Sequence, residues 1–297
     1  MNTQPNFHRP VLKNEVIDAL NVKADCWFVD CNIGGGGHTR EILKKGGKVI
    51  GIDLDFEAIE KVKLELMPEL NSGRLLLFQS NFSHLQEILA EAKVNEVSGV
   101  LFDLGVSSHQ LEKAERGFSF NLDAPLDMRM DQSQGASARD LINGLAENEL
   151  TFLFTKLGEE RFARVIARRI VEERKKGLIT TTHQLAKIII SARKPSKFEK
   201  VHPATRVFQA LRIAVNDELN SLREALPPSF SSLEKGGRLV VISFHSLEDR
   251  IVKNYFRDLE ADGLAKSLFK KPLGPSEEEV ENNPRSRSAK LRAVEKF

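Results

Sequence analysis

Two spacings of apolar residues divide the chain. Cys26–Val29, Val49–Ile52, Leu75–Phe78 and Gly99–Phe102 are short, nearly continuous apolar runs. They predict strands over 26–30, 49–53, 74–79 and 99–103, with helices between them, among them 55–68 and 83–93. Apolar runs separated by helices predict a parallel sheet covered on both faces. Asp30, Asp53 and Asp103 fall at the carboxyl ends of these strands, where ligands of such sheets sit. From about 106 to 205 the pattern changes. Residues 116–129 read as a loop, and four helical stretches follow with no strand between them. Within 157–177, Phe162, Ile166 and Ile170 recur at i, i+4 and i+8, with arginines on the other faces. Thr181 and Gln184 form a capping box opening the next helix. A helix over 202–226 has Pro203 in its first turn and a stripe of Phe208, Leu211, Val215, Leu219 and Leu222. Lys235–Ser243 returns to a buried strand, and 272–288 reads as a loop. The pattern therefore predicts an α/β sheet domain, 1–110 with 207–297, interrupted by a helical insert, 111–206.

Composition changes this picture little. The chain has 297 residues, 41% hydrophobic and 29% charged, which is ordinary for a globular protein. It has no apolar run near ~18 residues and no secretion signal, so neither a membrane span nor export is expected, and a cytoplasmic location is. The two cysteines, Cys26 and Cys31, lack the spacing of a zinc site and read as buried free thiols. The net charge of +2 hides an uneven distribution. Residues 157–177 carry seven Arg/Lys against four Glu, and 283–297 carry five against one. Glu277, Glu278, Glu279 and Glu281 offset the tail. Local basic patches of this kind are the footprint of a polyanion partner, or else a solvated helix face and a charged terminus.

The candidate chemistry begins at Asp30-Cys31-Asn32-Ile33-Gly34-Gly35-Gly36-Gly37-His38-Thr39. Four successive glycines are too costly in unfolded-state entropy for a casual turn, and they let a ligand approach the backbone closely. The dinucleotide spacing G-x-G-x-x-G is absent, because Thr39 or Arg40 takes its last place. Asp30 ahead of the turn gives D-x-x-x-G-x-G instead, which resembles the first motif of class I S-adenosylmethionine (SAM) methyltransferases. An acid near the turn suits a cationic ligand and disfavours phosphate. Asp53, at the tip of the next strand, is placed to accept hydrogen bonds from ribose hydroxyls. At the fourth strand's end, amino-methylating enzymes commonly carry D/N/S-P-P-Y, and this chain has Asp103-Leu104-Gly105-Val106-Ser107-Ser108. Asp103 can accept a hydrogen bond from a target amine or serve the cofactor; the prolines and the stacking aromatic are missing.

Longer blocks carry a closer resemblance. His8-Arg9-Pro10-Val11-Leu12, Gly35-Gly36-Gly37-His38, the Asp103–Ser108 block and Arg116-Gly117-Phe118-Ser119-Phe120 are similar to the MraW family, ribosomal RNA small subunit methyltransferase H. So are Leu126-Asp127-Met128-Arg129-Met130, Ala204–Ile213, Ser243–Arg250 and Asn283–Arg292. The blocks run in order from residue 8 to 292. The resemblance implies a class I, Rossmann-like fold and a SAM-dependent enzyme that methylates N4 of a cytosine in the decoding centre of 16S rRNA. The partner implied is 16S rRNA within the small ribosomal subunit, with no membrane; a homodimer stays open. Matched position by position, the family's cofactor contacts fall on Gly35, Gly36, Gly37, His38, Asp53, Phe82, Asp103 and Gln110. Two positions depart from the family pattern: Asn32 stands where Thr is usual, and Leu54 where Arg is usual.

For the substrate, Asp103 is the candidate amine acceptor. Arg164, Arg168, Arg206 and Arg212 are candidate phosphate contacts, and Arg285 and Arg287 extend the set into the tail. Phe118 and Phe120, between Arg116 and Arg129, are either core residues or stacking groups for an extruded base. Ser243, His245 and Asp249 are expected to line the target-base pocket, and His8 and Arg129 are further candidate substrate contacts. Ser243, His245 and Asp249 lie too close together in sequence for a hydrolase triad and lack the G-x-S-x-G elbow. His8, His245, Glu248 and Asp249 fit no tight metal site, so no metal is expected. Two rival functions share parts of this pattern: a DNA amino-methyltransferase, and a non-catalytic assembly factor that binds SAM and the ribosome.

Overall fold

The computed structural model describes residues 10–133, 135–193 and 201–297. In chain order it begins with α1 (Lys13–Leu20), β1 (Trp27–Asp30), α2 (Gly37–Lys44), β2 (Lys48–Asp53), α3 (Phe56–Glu65), α4 (Met67–Asn71), β3 (Leu75–Gln79), α5 (Leu85–Ala92) and β4 (Val97–Asp103). Six helices follow: α6 (Ser108–Glu112), α7 (Ala138–Gly144), α8 (Glu147–Lys156), α9 (Ala163–Arg174), α10 (Thr182–Ala192) and α11 (Thr205–Val215). The chain closes with α12 (Glu218–Ser231), β5 (Leu233–Ser243), α13 (Ser246–Ala261), β6 (Ala265–Ser267), α14 (Glu277–Asn282) and β7 (Lys290–Lys296). It divides into two compact units, Met1–Gly105 with Leu219–Phe297, and Val106–Glu218.

The first unit is built on one seven-stranded sheet in the order β3-β2-β1-β4-β5-β7-β6. Strands β1 to β5 pair in parallel, and β7 runs antiparallel between β5 and β6. This is the class I methyltransferase fold expected above. The strands read as continuous apolar runs because both faces are buried, and each strand feeds two cores alternately. Val29, Ile50, Val100, Phe102 and Val241 enter one cluster. Phe28, Val49, Leu101, Val240 and Ile242 enter the other. Strand order reverses between β1 and β4, so the crevice of the topological switch point opens between Asp30 and Asp103.

The second unit is helical among its described residues apart from one isolated bridge between Pro125 and Thr181. Its core gathers Leu126, Ile142, Phe154, Ile166, Ile170, Leu185 and Leu211, all at 1% exposure or less. The expected capping box at Thr181 forms, with Gln184 returning the bond.

Four features differ from the sequence reading, the first being the helix α14 inside the 272–288 stretch read as a loop, capped by Ser276, whose side chain accepts from the Glu279 N–H (3.1 Å). The helix expected over 202–226 is two helices, α11 and α12, broken at Asn216–Asp217. Asp217 is left-handed (φ 48°), while Asn216 turns its side chain to the backbone of Met130, Met128 and Arg212. Residues 207–218, assigned above to the sheet domain, accordingly pack in the helical unit through Val207, Phe208 and Leu211. The basic tail is also a strand. Residues 290–296 form β7, held by the pairing of Arg238 with Glu295 (2.9 Å) and of Arg292 with Asp249 (2.7 Å). Lys296 is spent on the carbonyls of Ser231 and Leu233.

Candidate functional site

The four glycines turn the chain from β1 into α2. Gly34 and Gly36 lie at φ 48° and 72°, where any side chain would be strained. Gly37 opens α2 with Pro10 so near that a Cβ would meet three of its ring atoms at 3.0–3.1 Å. The turn is tied directly to the next strand: the Gly34 N–H donates to Asp53 Oδ2 (2.9 Å), and the Asp55 N–H to Asp53 Oδ1 (2.9 Å). Each Asp53 oxygen keeps a further lone pair for a ligand hydroxyl.

Burial shapes the electrostatics of the strand ends. Asp30 is 1% exposed, and its Oδ2 accepts the Thr39 hydroxyl (2.7 Å). Desolvation pushes its carboxyl up to about 6, against the stabilising bonds from Thr39 and Asn32. Burial likewise raises Asp53 to about 6, with Asp55 and Asp30 adding repulsion. Asp103 is raised by burial first, then by the negative charges of Asp30 and Glu248. Its Oδ1 is buried and finds no hydrogen-bond partner among the described residues. Its Oδ2 stands 3.6 Å from His38 Nδ1. His38 Nε2 lies 3.1 Å from the Val11 carbonyl, an acceptor, so Nε2 carries the hydrogen of that bond. His38 Nδ1 is left facing Asp103 Oδ2. Three desolvated carboxyl groups, one with an idle oxygen, make a pocket end that a cation relieves and a phosphate does not.

The neighbouring groups are positioned by caps. Phe82 follows β3 in a short 3-10 turn, its ring edge-on to Phe102 with centroids 5.4 Å apart. Asn81 sets that turn by accepting from the Ser83 N–H (2.9 Å) and donating to Ser221 Oγ (2.9 Å). Beyond β5, Glu248 is 2% exposed, and its Oε2 accepts from the N–H groups of Phe244 (2.8 Å) and His245 (3.2 Å). His245 Nδ1 accepts the Glu248 N–H in return. Sequence reasoning treated Glu248 only as a rejected metal ligand. Its signal was the acid three residues after the cap position, a capping box at the strand end.

Of the predicted site residues, Gly35, Gly36, Gly37, His38, Asp53, Phe82 and Asp103 belong to the first unit. Gln110 belongs to the second, where it is buried and closes a capping box with Ser107 (2.9 Å). His8 lies outside the described residues. His245 is largely buried in the α13 cap. Ser243 donates to the Lys290 carbonyl and Asp249 is taken by Arg292 and Lys290, so no hydrolase triad forms.

The substrate candidates separate into exposed and committed groups. Arg164 and Arg168 stand exposed on α9 with no ion pair among the described residues, and Arg161 continues their line. Arg287 is exposed as well, as is Arg285. Arg206 is exposed and donates to the Glu159 carbonyl (3.0 Å). Two candidate arginines are already paired, Arg212 of the phosphate set and Arg129 beside the candidate aromatics. Arg212 forms a two-pronged pair with Glu218 (2.8 Å each), and Arg129 does the same with Asp127 (2.8 and 2.9 Å). Arg116 is buried, its guanidinium bonding the carbonyls of Arg129 and Met130 and covering Phe118. Phe118 is itself 8% exposed and part of the core. Phe120 stacks on His202 (4.6 Å) and meets Phe208 edge-on (5.0 Å).

Comparison with known proteins bears on the same residues. The family model described as the MraW methylase family matches residues 5–297. A Clostridium botulinum (strain Loch Maree / Type A3) protein named ribosomal RNA small subunit methyltransferase H is 47% identical over 309 residues, covering 98% of this chain and 99% of that protein. A protein of the same name from Syntrophus aciditrophicus (strain SB) is 45% identical, covering 98% of each. Among solved structures, an rRNA methylase from Streptococcus thermophilus aligns over 98% of both chains at 13% identity, with a TM-score of 0.45. The family model spans nearly the whole chain and the sequence relatives share almost half its residues: the chain belongs to the MraW methylase family.

Proposed function

We propose that this protein transfers a methyl group from SAM to N4 of a cytosine in 16S rRNA, acting on the small ribosomal subunit. The observation that carries the reading is the desolvated carboxylate cluster at the switch point, with Asp103 Oδ1 buried and idle beside His38. Family membership and the relatives' shared name supply the substrate. SAM supplies an electrophilic methyl on a positively charged sulfur. The groups suited to hold it are the glycine turn, Asp53 for hydroxyls, Phe82 for an aromatic face and the carboxylates for positive charge.

The cysteines speak against one alternative target atom, carbon 5. Methylation at carbon 5 of a cytosine needs a thiolate to add to the ring first. The chain has two cysteines. Cys31 is 1% exposed, and burial together with the Asp30 charge pushes its thiol up, away from the reactive form. Cys26 precedes β1, at the opposite end of that strand from Asp30. An exocyclic amine needs no covalent adduct. It needs an acceptor for its N–H and alignment with the methyl, and the N–C bond forms as the S–C bond breaks. Asp103 is the acceptor in this reading, with His38 Nδ1 facing it, and the amine's proton leaves to Asp103 or to water.

On the RNA side, the Arg161, Arg164 and Arg168 face of the helical unit meets phosphates, as do Arg206, Arg285 and Arg287. Transfer of labelled methyl from SAM to unmodified small subunits, naked 16S rRNA and duplex DNA tests the proposal. Label in the rRNA of the subunits is expected. Label confined to DNA, or none anywhere despite SAM binding, overturns it.

A further inference from the structure

Five cations gather at one place on the first unit, away from the strand-end site. On α13, Lys253, Phe256, Arg257 and Glu260 fall at i, i+3, i+4 and i+7, one face of the helix. Phe256 is buried, and Lys253 and Arg257 stand exposed beside it. After β6 the chain brings Phe269, Lys270 and Lys271 to the same face, leaving a cleft of about 180 Å³ whose buried lining is Phe256 and Ala293. Arg292 of β7 adds a fifth cation.

The single carboxylate in the lining, Glu260, is engaged by the Ser267 N–H (2.8 Å). Arg292 is paired with Asp249, and Arg257 touches the exposed Asp258 (3.0 Å). Lys253, Lys270 and Lys271 have no ion pair among the described residues. Like charges gathered round a concave surface repel one another in the free protein and concentrate the field for an anion. The cleft has room for several water molecules. That is room for a phosphate with part of its hydration shell. The Arg292–Asp249 pair also ties its wall to the first turn of α13, which carries the Glu248 cap.

We infer that this cleft is a phosphodiester-binding site on the sheet unit, a contact with the RNA backbone additional to the arginines of the helical unit. The inference rests on the RNA-substrate reading above. It is tested with K253A/K270A/K271A and the charge-preserving K253R/K270R/K271R, against small subunits and naked 16S rRNA over a salt series, with SAM affinity measured in parallel. The alanine variant is expected to bind SAM as the unsubstituted protein does. Its affinity for both RNAs should fall by roughly fivefold to tenfold, and log K against log salt should become shallower by about one. The arginine variant should keep both. An alanine variant with unchanged affinity and slope overturns the inference while leaving methylation of RNA intact. Weakened binding to subunits alone, with naked rRNA unaffected, overturns it in favour of a ribosomal protein at the cleft. Failure of the unsubstituted protein to bind either RNA removes the substrate reading itself.

Discussion

Asp103 concentrates the account at the scale of one residue. A buried carboxyl with one idle oxygen is costly for the free protein and useful only when a positive or N–H-bearing ligand arrives. Asp103→Asn is therefore expected to leave the thermal midpoint unchanged or raised, while methyl transfer falls by about a hundredfold or more, the size of one lost electrostatic contact in a transition state. Thermal melts and single-turnover transfer on the same preparation check both halves. The neighbouring carboxyls predict a pH dependence. Asp30 and Asp53 sit at about 6 when folded, above their ordinary 3.8, so the folded state holds these protons more tightly than the unfolded chain. Their contribution to stability is present below about 3.8 and is lost as pH rises through 6. A cationic ligand favours the ionised forms, so SAM affinity should strengthen across that window, by up to about tenfold per pH unit for each proton released. Melts with and without SAM between pH 5 and 7 should diverge; parallel curves would contradict the carboxylate role. These acids were legible in the sequence because each ends an apolar run. The pairing of Arg129 and Arg212 was not legible, because a carboxylate two or six residues away in sequence meets each guanidinium only once the chain has folded.

At the scale of elements, the glycine turn and the caps fix the site. Gly36→Ala places a Cβ on a backbone at φ 72° with Val62 at 3.2 Å, and should cost about 1–2 kcal/mol in a urea titration. SAM affinity should fall with it, since the turn bonds Asp53. Glu248→Ala strips two backbone N–H groups of their acceptor and should lower stability by about 1–3 kcal/mol. The alternation of strand and helix through Asp103 was readable because the sheet is buried on both faces and its strands are almost purely apolar. β7 was not. Its apolar positions, Leu291, Ala293 and Val294, are interleaved with Lys290, Arg292, Glu295 and Lys296, so the segment reads as a charged tail. Only the partners supplied by β5, α13 and the Ser231–Leu233 segment make those charges compatible with a strand. The break at Asn216–Asp217 was hidden because an apolar stripe of helical spacing runs straight across it.

At the scale of the whole molecule, the strand-end site and the exposed arginine line at α9 belong to different units. The carboxylates and the glycine turn lie on the sheet unit, and the arginine line Arg161, Arg164 and Arg168 lies on the helical unit. R161A/R164A/R168A should leave SAM affinity and the thermal midpoint unchanged and weaken rRNA binding, with a salt slope shallower by about one to three. A variant that binds rRNA with the original slope would remove this face from the interface. The basic face was legible because unpaired arginines on one side of an amphipathic helix survive folding as they appear in sequence. The kind of polyanion such a face would meet was not, since phosphates look alike to arginine.

The most direct test of the central claim is nucleoside mass spectrometry of small-subunit rRNA after reaction with the protein and SAM, run beside Asp103→Asn. The account predicts N4-methylcytidine with the unsubstituted protein and its near-absence with the variant. A methyl on carbon 5 or on another base, or undiminished N4-methylcytidine from the variant, would contradict it.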